Sequence, residues 1–210
     1  MKFIGLLCLP LLTGACAAAD PLLLRVGDEI IGRVWLTRDA TNLVARYVIA
    51  DSSPLRNAGR DEKLLFKTGD SVDLQLDLGD QNHIRLLMTE TRDGPIAVLY
   101  RYHVPGTTEP VRFWSPTGEV TVDRVEKATA VALRIERTAT GYTLTATIPW
   151  AALGIARPPA VLRGDVGVLL SDPTGSVTVE RIYHFNKNTS VVADIPTEVR
   201  IQPAIWQPLP

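Results

Sequence analysis

The chain has 210 residues, with 22 basic against 23 acidic side chains and a formal net charge of −1. Hydrophobic residues make up 46% and aromatics 6%. This balance excludes a disordered chain, and it argues against a nucleic-acid partner, which would need a basic stripe to release phosphate counterions.

Residues 1–19 read as a signal peptide. Lys2 supplies a positive charge, Phe3 to Leu12 an apolar run, and Ala17-Ala18-Ala19 a small-residue cleavage site before Asp20. The run is too short to span a bilayer, which takes about 20 residues. A second processing route also fits: Thr13-Gly14-Ala15-Cys16 resembles a bacterial lipobox, with Thr13 where Leu or Val is usual. A lipid on Cys16 would then be the only membrane attachment. Either route predicts an exported protein, periplasmic or extracellular. Both cysteines, Cys8 and Cys16, lie in this leader. The remaining chain, 20–210, therefore has no disulfide, no thiol nucleophile and no Cys-ligated zinc.

Residues 20–210 read as a single domain written in period two. Candidate strands run near 30–37, 42–50 and 72–78, the last placing Val72, Leu74, Leu76 and Leu78 opposite Asp73, Gln75 and Asp77. Others follow near 82–90, 95–103, 119–126 and 131–136. The chain then continues with 142–148, where Tyr142, Leu144, Ala146 and Ile148 alternate with threonines, and with 165–171 and 177–184. Such alternation predicts one face on a core and one in water. Arg92-Asp93-Gly94, Ala139-Thr140-Gly141 and Asp172-Pro173-Thr174-Gly175 supply hairpin turns. Trp150-Ala151-Ala152-Leu153 predicts one helical turn stopped by Gly154. Segments 51–69, 104–117, 155–164 and 185–210 predict irregular structure, and Pro196, Pro203, Pro208 and Pro210 predict that the last wraps the surface without a helix. About ten short strands joined mainly by turns predict an all-β protein. The architecture expected is an antiparallel β-sandwich, two sheets in the immunoglobulin-like or jelly-roll-like manner.

Several segments together resemble a known family. Asp51 precedes Pro54-Leu55-Arg56-Asn57, and Leu65-Phe66-Lys67-Thr68 leads into Gly69-Asp70-Ser71-Val72-Asp73-Leu74. Further on stand Ile148-Pro149-Trp150-Ala151-Ala152-Leu153-Gly154 and Gly164-Asp165-Val166-Gly167. In this order they resemble carbohydrate-binding modules of family nine and their wider DOMON-like relatives, across roughly residues 25–205. The resemblance implies one of two functions. The first is non-catalytic sugar binding between aromatic side chains, often with structural Ca2+. The second is electron transfer by a b-type haem held by Met with His or Lys.

A sugar site needs a flat aromatic face and polar groups for hydroxyls. Of the four tryptophans, Trp35 and Trp150 fall on candidate core faces and Trp206 lies near the C-terminus. Trp114 stands apart, in the polar, Pro/Gly-bounded stretch Arg112-Phe113-Trp114-Ser115-Pro116. Arg112, Phe113 and Trp114 are therefore candidate ligand contacts. A second group, Arg181, Tyr183, Asn186, Lys187 and Asn188, offers hydrogen-bond donors and a further ring. The competing readings are a Trp114 that caps the sandwich edge and a solvated 186–188 loop. For Ca2+ the candidate ligands are Asp51 and Asp70, with Asp73 a further candidate and Asp61 and Glu62 nearby, although no EF-hand spacing exists. Asp70 alternatively steadies the turn into its strand, while Asp73 and Asp77 are expected to face water. For haem, Met88 is the sole methionine of 20–210, on a face shared with Ile84 and Leu86, with His83, His103 and His184 as further ligands.

No nucleophile elbow, zinc-protease helix or Walker loop occurs, which favours binding over catalysis. The expected function is an exported, non-catalytic protein that binds an oligo- or polysaccharide. The alternatives are a haem-dependent electron-transfer domain and an extracytoplasmic protein-interaction module.

Overall fold

The computed structural model describes residues 20–53 and 55–210. The leader expectations, Cys8 and Cys16 included, lie outside the described residues, as does Pro54.

The first strands are β1 (Leu22–Val26), β2 (Glu29–Arg38), β3 (Asn42–Ala50), β4 (Ser71–Asp77) and β5 (His83–Thr91). Next come β6 (Gly94–Arg101), β7 (Val111–Ser115), β8 (Gly118–Val122), β9 (Arg124–Lys127) and β10 (Ala132–Thr138). The chain closes with β11 (Gly141–Pro149), β12 (Leu162–Ser171), β13 (Thr178–Tyr183), the helix α1 (Ile195–Val199) and β14 (Gln207–Leu209). One sheet has the order β1-β2-β3-β11-β10, the other β13-β12-β4-β5-β6-β9, with β14 on β12. The pairings within both are antiparallel. The two sheets face each other across a core that includes Tyr47, Leu74, Leu86, Met88, Leu144, Ile148 and Val166. The expected sandwich is the observed one. Trp150–Leu153 forms the expected turn of helix, of the 3-10 type, and Gly154 ends it at φ 78°.

Strict alternation fails on the second sheet, which is buried on both faces. Its outward face carries Leu87, Val98, Tyr100 and Leu169, which form a second cluster with Phe66, Phe113, Val122 and Val199. The covering layer consists of the β7–β8 hairpin, the loop before β4 and α1. Asp73, expected in water, is fully buried here. Its partner is Arg85, also fully buried, whose Nε lies 2.8 Å from Asp73 Oδ2. Tyr183 Oη donates to the same carboxylate. Gly167 sits opposite both Asp73 and Tyr183 in the ladder. A Cβ there would stand 2.6 Å from the Tyr183 ring, so glycine is what lets that ring cross the strand.

The covering layer is tied to this pair. Arg85 Nη1 and Arg181 Nη1 donate to the backbone carbonyl of Glu198 at 3.1 and 2.9 Å. Lys67 Nζ lies 2.5 Å from the Glu198 carboxylate. Arg85 is also stacked over Phe66 and Tyr100, at 5.2 and 5.7 Å from the ring centroids. Burial is the largest single influence and works against the charge on Arg85, but Asp73 together with Tyr183, Tyr102 and Tyr100 outweighs it and holds the guanidinium pKa above its ordinary value.

Two local expectations are corrected. Segment 104–117 contains β7, and segment 185–210 contains a short helix. Asp194 caps that helix by accepting from Thr197 N, and Pro196 occupies its first turn, where a missing N–H costs nothing. Trp35 is half-buried outside the core, beneath Arg46 at 5.3 Å.

Breaking a buried ion pair leaves an uncompensated charge. Asp73→Ala is therefore expected to destabilise the fold by about 3–5 kcal/mol, while Asp73→Leu combined with Arg85→Met recovers most of the loss. Urea denaturation of the three proteins measures both effects.

Candidate functional site

The β7–β8 hairpin displays one face to the core and one to water. Phe113 points inward, 4% exposed, edge-on to Phe66 at 6.0 Å. Arg112 and Trp114, on alternate positions, point outward, and Trp114 is 67% exposed. Glu119 lies opposite Trp114 on β8, and its carboxylate meets Arg112 Nε at 3.8 Å. Beside this face is a cleft of about 510 Å³ lined by Asp61, Lys63, Glu109, Arg112 and Trp114, with Ile195 at its base. The hairpin is held from below. Ser115 Oγ donates to Asp194 at 2.6 Å, and Thr117 Oγ1 donates to the same oxygen. These hydroxyls hold the Asp194 carboxyl well below the usual carboxylate range. Trp114 thus stands on a strand fastened at its turn, where sequence reading expected an irregular loop.

The second predicted group gathers at a different place. Arg181, Tyr183, Asn186 and Lys187 line a cleft of about 450 Å³ between the β13 edge and the β1–β2 turn, with Arg25 on the far side. Asn188 is exposed beside it, its N–H donating to Asn186 Oδ1 at 3.1 Å. The loop is shaped by Asp165, whose carboxylate accepts from the backbone N–H groups of Phe185 and Asn186 at 3.0 and 2.9 Å. Burial nevertheless raises the Asp165 pKa. Tyr183 is only 3% exposed, with its hydroxyl committed to Asp73, so its ring offers no open stacking face. No residue lines both this cleft and the one beside Trp114. The structure does not merge the two groups into one shared cleft.

A third cleft, of about 590 Å³, was not foreseen. It is lined by Arg60, Glu62, Arg92, Asp93 and Lys127 among others, and none of its lining residues is aromatic. Lys127 and Glu62 pair across it at 2.7 Å. Exposed charges of this kind leave no periodic signal in a sequence.

Asp51 and Asp70 do come close enough to interact, and each carries its own local duty. Asp70 is fully buried and accepts from Ser171 N at 2.6 Å and Arg56 N at 3.3 Å, one bond to each oxygen. Asp51 Oδ1 accepts from Ser53 N at 2.8 Å, while Oδ2 is buried without a partner. Among the described residues, no group of three or more His, Cys, Asp or Glu side chains gathers there or elsewhere. Calcium takes six to eight oxygens. Two carboxylates, one with both oxygens engaged by N–H groups, do not fit that ion. Met88 is fully buried between the sheets with Leu86 and Ile84, whereas His83 opens β5 on its outward side and His184 lies just past the end of β13 against β1. His184 Nδ1 is within 3.1 Å of Leu23 N, and His83 packs edge-on to Trp206 at 5.4 Å.

No family model matches the chain, and no curated protein does. Among solved structures it is similar to a carbohydrate-binding module of family 9 from Caldicellulosiruptor kristjanssonii in complex with glucose. The identity there is 13% and the TM-score 0.47, covering 81% of this chain and 75% of that one. A cellotriose complex of a family 9 module from the same organism gives 14% identity and a TM-score of 0.46, covering 80% and 72%.

Burial, and to a lesser degree the neighbouring Asp51, pushes the Asp70 carboxyl up from 3.8 to about 6. The folded protein then holds a proton that the unfolded chain releases, so stability falls as pH rises from about 4 to about 6. The effect is at most about 3 kcal/mol, with Asp165 acting in the same direction. Thermal melts across this window are expected to show a higher Tm at the acid end, and Asp70→Asn should flatten the slope.

Proposed function

We propose that this protein is a non-catalytic carbohydrate-binding protein acting outside the cytoplasm, with the outward face of the β7–β8 hairpin as its sugar platform. The observation that carries the reading is Trp114. Its ring is two-thirds exposed on a strand whose opposite face is locked into the core, and Arg112, Lys63, Asp61 and Glu109 stand around it. An indole face accepts the C–H surface of a pyranose, and the surrounding side chains supply donors and acceptors for hydroxyls. A core-serving tryptophan on this hairpin would face Phe66, as Phe113 does. The apolar leader of residues 1–19 supports export.

Stacking on one aromatic contributes on the order of 1 kcal/mol beyond burial, so affinity for oligosaccharides is modest. The platform has one wall and no roof, which suits the side of a glycan chain better than a lone monosaccharide. Calorimetric titration with a panel of soluble oligosaccharides, cellotriose among them, tests the proposal. Trp114→Ala is expected to weaken binding at least about fivefold with unchanged Tm, since the side chain touches little of the core. Unchanged affinity in that variant removes the hairpin from the site, and a flat titration across the whole panel removes the carbohydrate reading.

A further inference from the structure

Of the four edges of the two main sheets, two are capped, one is short and the fourth is bare. Leu23 N–H on β1 donates to His184 Nδ1 at 3.1 Å. On β13, Thr178 N–H donates to the Lys67 carbonyl at 3.1 Å, and the Arg181 carbonyl accepts from Thr189 Oγ1 at 3.3 Å. β9 has only four residues. β10 has seven, without proline, glycine or a register shift against β11, the one strand it pairs with. Thr138 and Gly141 close the two-residue turn between these strands, so Ala132, Arg134, Glu136 and Thr138 direct N–H and C=O to β11. The N–H and C=O groups of Leu133, Ile135 and Arg137 point the other way, and among the described residues no other backbone group bonds to them. The Arg137 side chain turns back into its own sandwich, pairing with Glu90 and donating to the Leu55 carbonyl at 3.2 Å. An edge in this state is ready to pair with another strand.

We propose that β10 is a self-association edge, pairing antiparallel with β10 of a second copy of this chain about a two-fold axis at Ile135. The charges select both the occupant and the register. A two-fold pairing here sets outward-directed backbone groups against one another, which leaves three central registers, with the axis at Arg134, Ile135 or Glu136. The first sets Arg134 against itself and the last Glu136 against itself, and like charges directly opposite are destabilising. An axis at Ile135 instead sets Arg134 of each copy against Glu136 of the other. These are non-hydrogen-bonded pairs, whose Cα atoms approach to about 4.5 Å, so their side chains meet. Within one copy the two side chains are 77% and 55% exposed and bond to each other at 2.8 Å. Two copies therefore close a ring of four alternating charges. On the inward side Ile135 meets Ile135 and each Leu133 meets the stem of an Arg137, covering two residues that the core leaves half-buried. About six backbone hydrogen bonds join the two five-stranded sheets into one. The axis is normal to the sheet, so both β7–β8 hairpins face the same side of the dimer.

Sedimentation equilibrium of the purified protein, over about 10 µM to 1 mM, tests the proposal. A seam of one strand from each copy lies at the small end of specific interfaces, so a dissociation constant on the order of 100 µM is expected. Amide hydrogen exchange locates the contact: protection at Leu133, Ile135 and Arg137 should rise with concentration, while Arg134 and Glu136 stay protected throughout. Arg134→Glu or Glu136→Arg alone should weaken self-association at least about tenfold. Combining both substitutions in one chain restores the dimer, and so does mixing the two single variants. Ile135→Pro, which removes an N–H that β11 does not use, should leave a folded monomer. Should that variant fail to fold, the exposed charge variants still decide. A protein still monomeric at the top of the range, a dimer indifferent to both single charge reversals, or single variants that do not pair on mixing overturns the proposal. Self-association with no added protection at Ile135 overturns it as well. None of these outcomes bears on sugar binding at Trp114, so the two readings fail separately.

Discussion

The Asp73–Arg85 pair is the constraint around which the outer half of the molecule is organised. Two opposite charges on adjacent strands, both at zero exposure, cannot be left to an open sheet face without being solvated. The chain instead roofs them. Phe66 and Tyr100 stack on the guanidinium, Tyr183 reaches across Gly167 to the carboxylate, and the Glu198 carbonyl takes one N–H from each of Arg85 and Arg181. Several polar atoms under this roof, among them Asp73 Oδ1, Arg85 Nη2 and Glu198 Oε2, find no protein partner. Such a network is costly to assemble, and its return is specificity: it fixes where α1 and the hairpin sit.

That placement decides what the surface can offer. Because Phe113 is drawn down into the cluster above Tyr100 and Leu87, the period-two geometry of β7 forces Trp114 and Arg112 outward. The candidate sugar platform is thus a by-product of the buried layer.

The sandwich was legible in the sequence because its inner faces obey alternation without exception in β3, β4, β11 and the body of β12. The doubly covered face was not legible. Asp73 and Gln75 sit where polar residues alternate with leucines, and a pattern of that kind is the same whether the polar side meets water or a buried partner. The signal that could have revealed it was Arg85 and Leu87 on the facing positions of β5, where a charge and a leucine share one side. α1 was obscured by its proline, since Pro196 was read as a helix breaker although it occupies the first turn after the Asp194 cap. Residues of the candidate sites were individually recognisable by type. Their separation into two clefts depends on long-range packing that spacing along the chain does not encode.

The most direct test of the account follows the four indole N–H resonances during titration with a neutral oligosaccharide. Trp150, bonded through Nε1 to the Asp39 carbonyl at 3.0 Å, and Trp206, 1% exposed, serve as internal references. The account predicts a saturable shift of the Trp114 indole with those two unmoved. A stationary Trp114 signal alongside measurable sugar binding would contradict it.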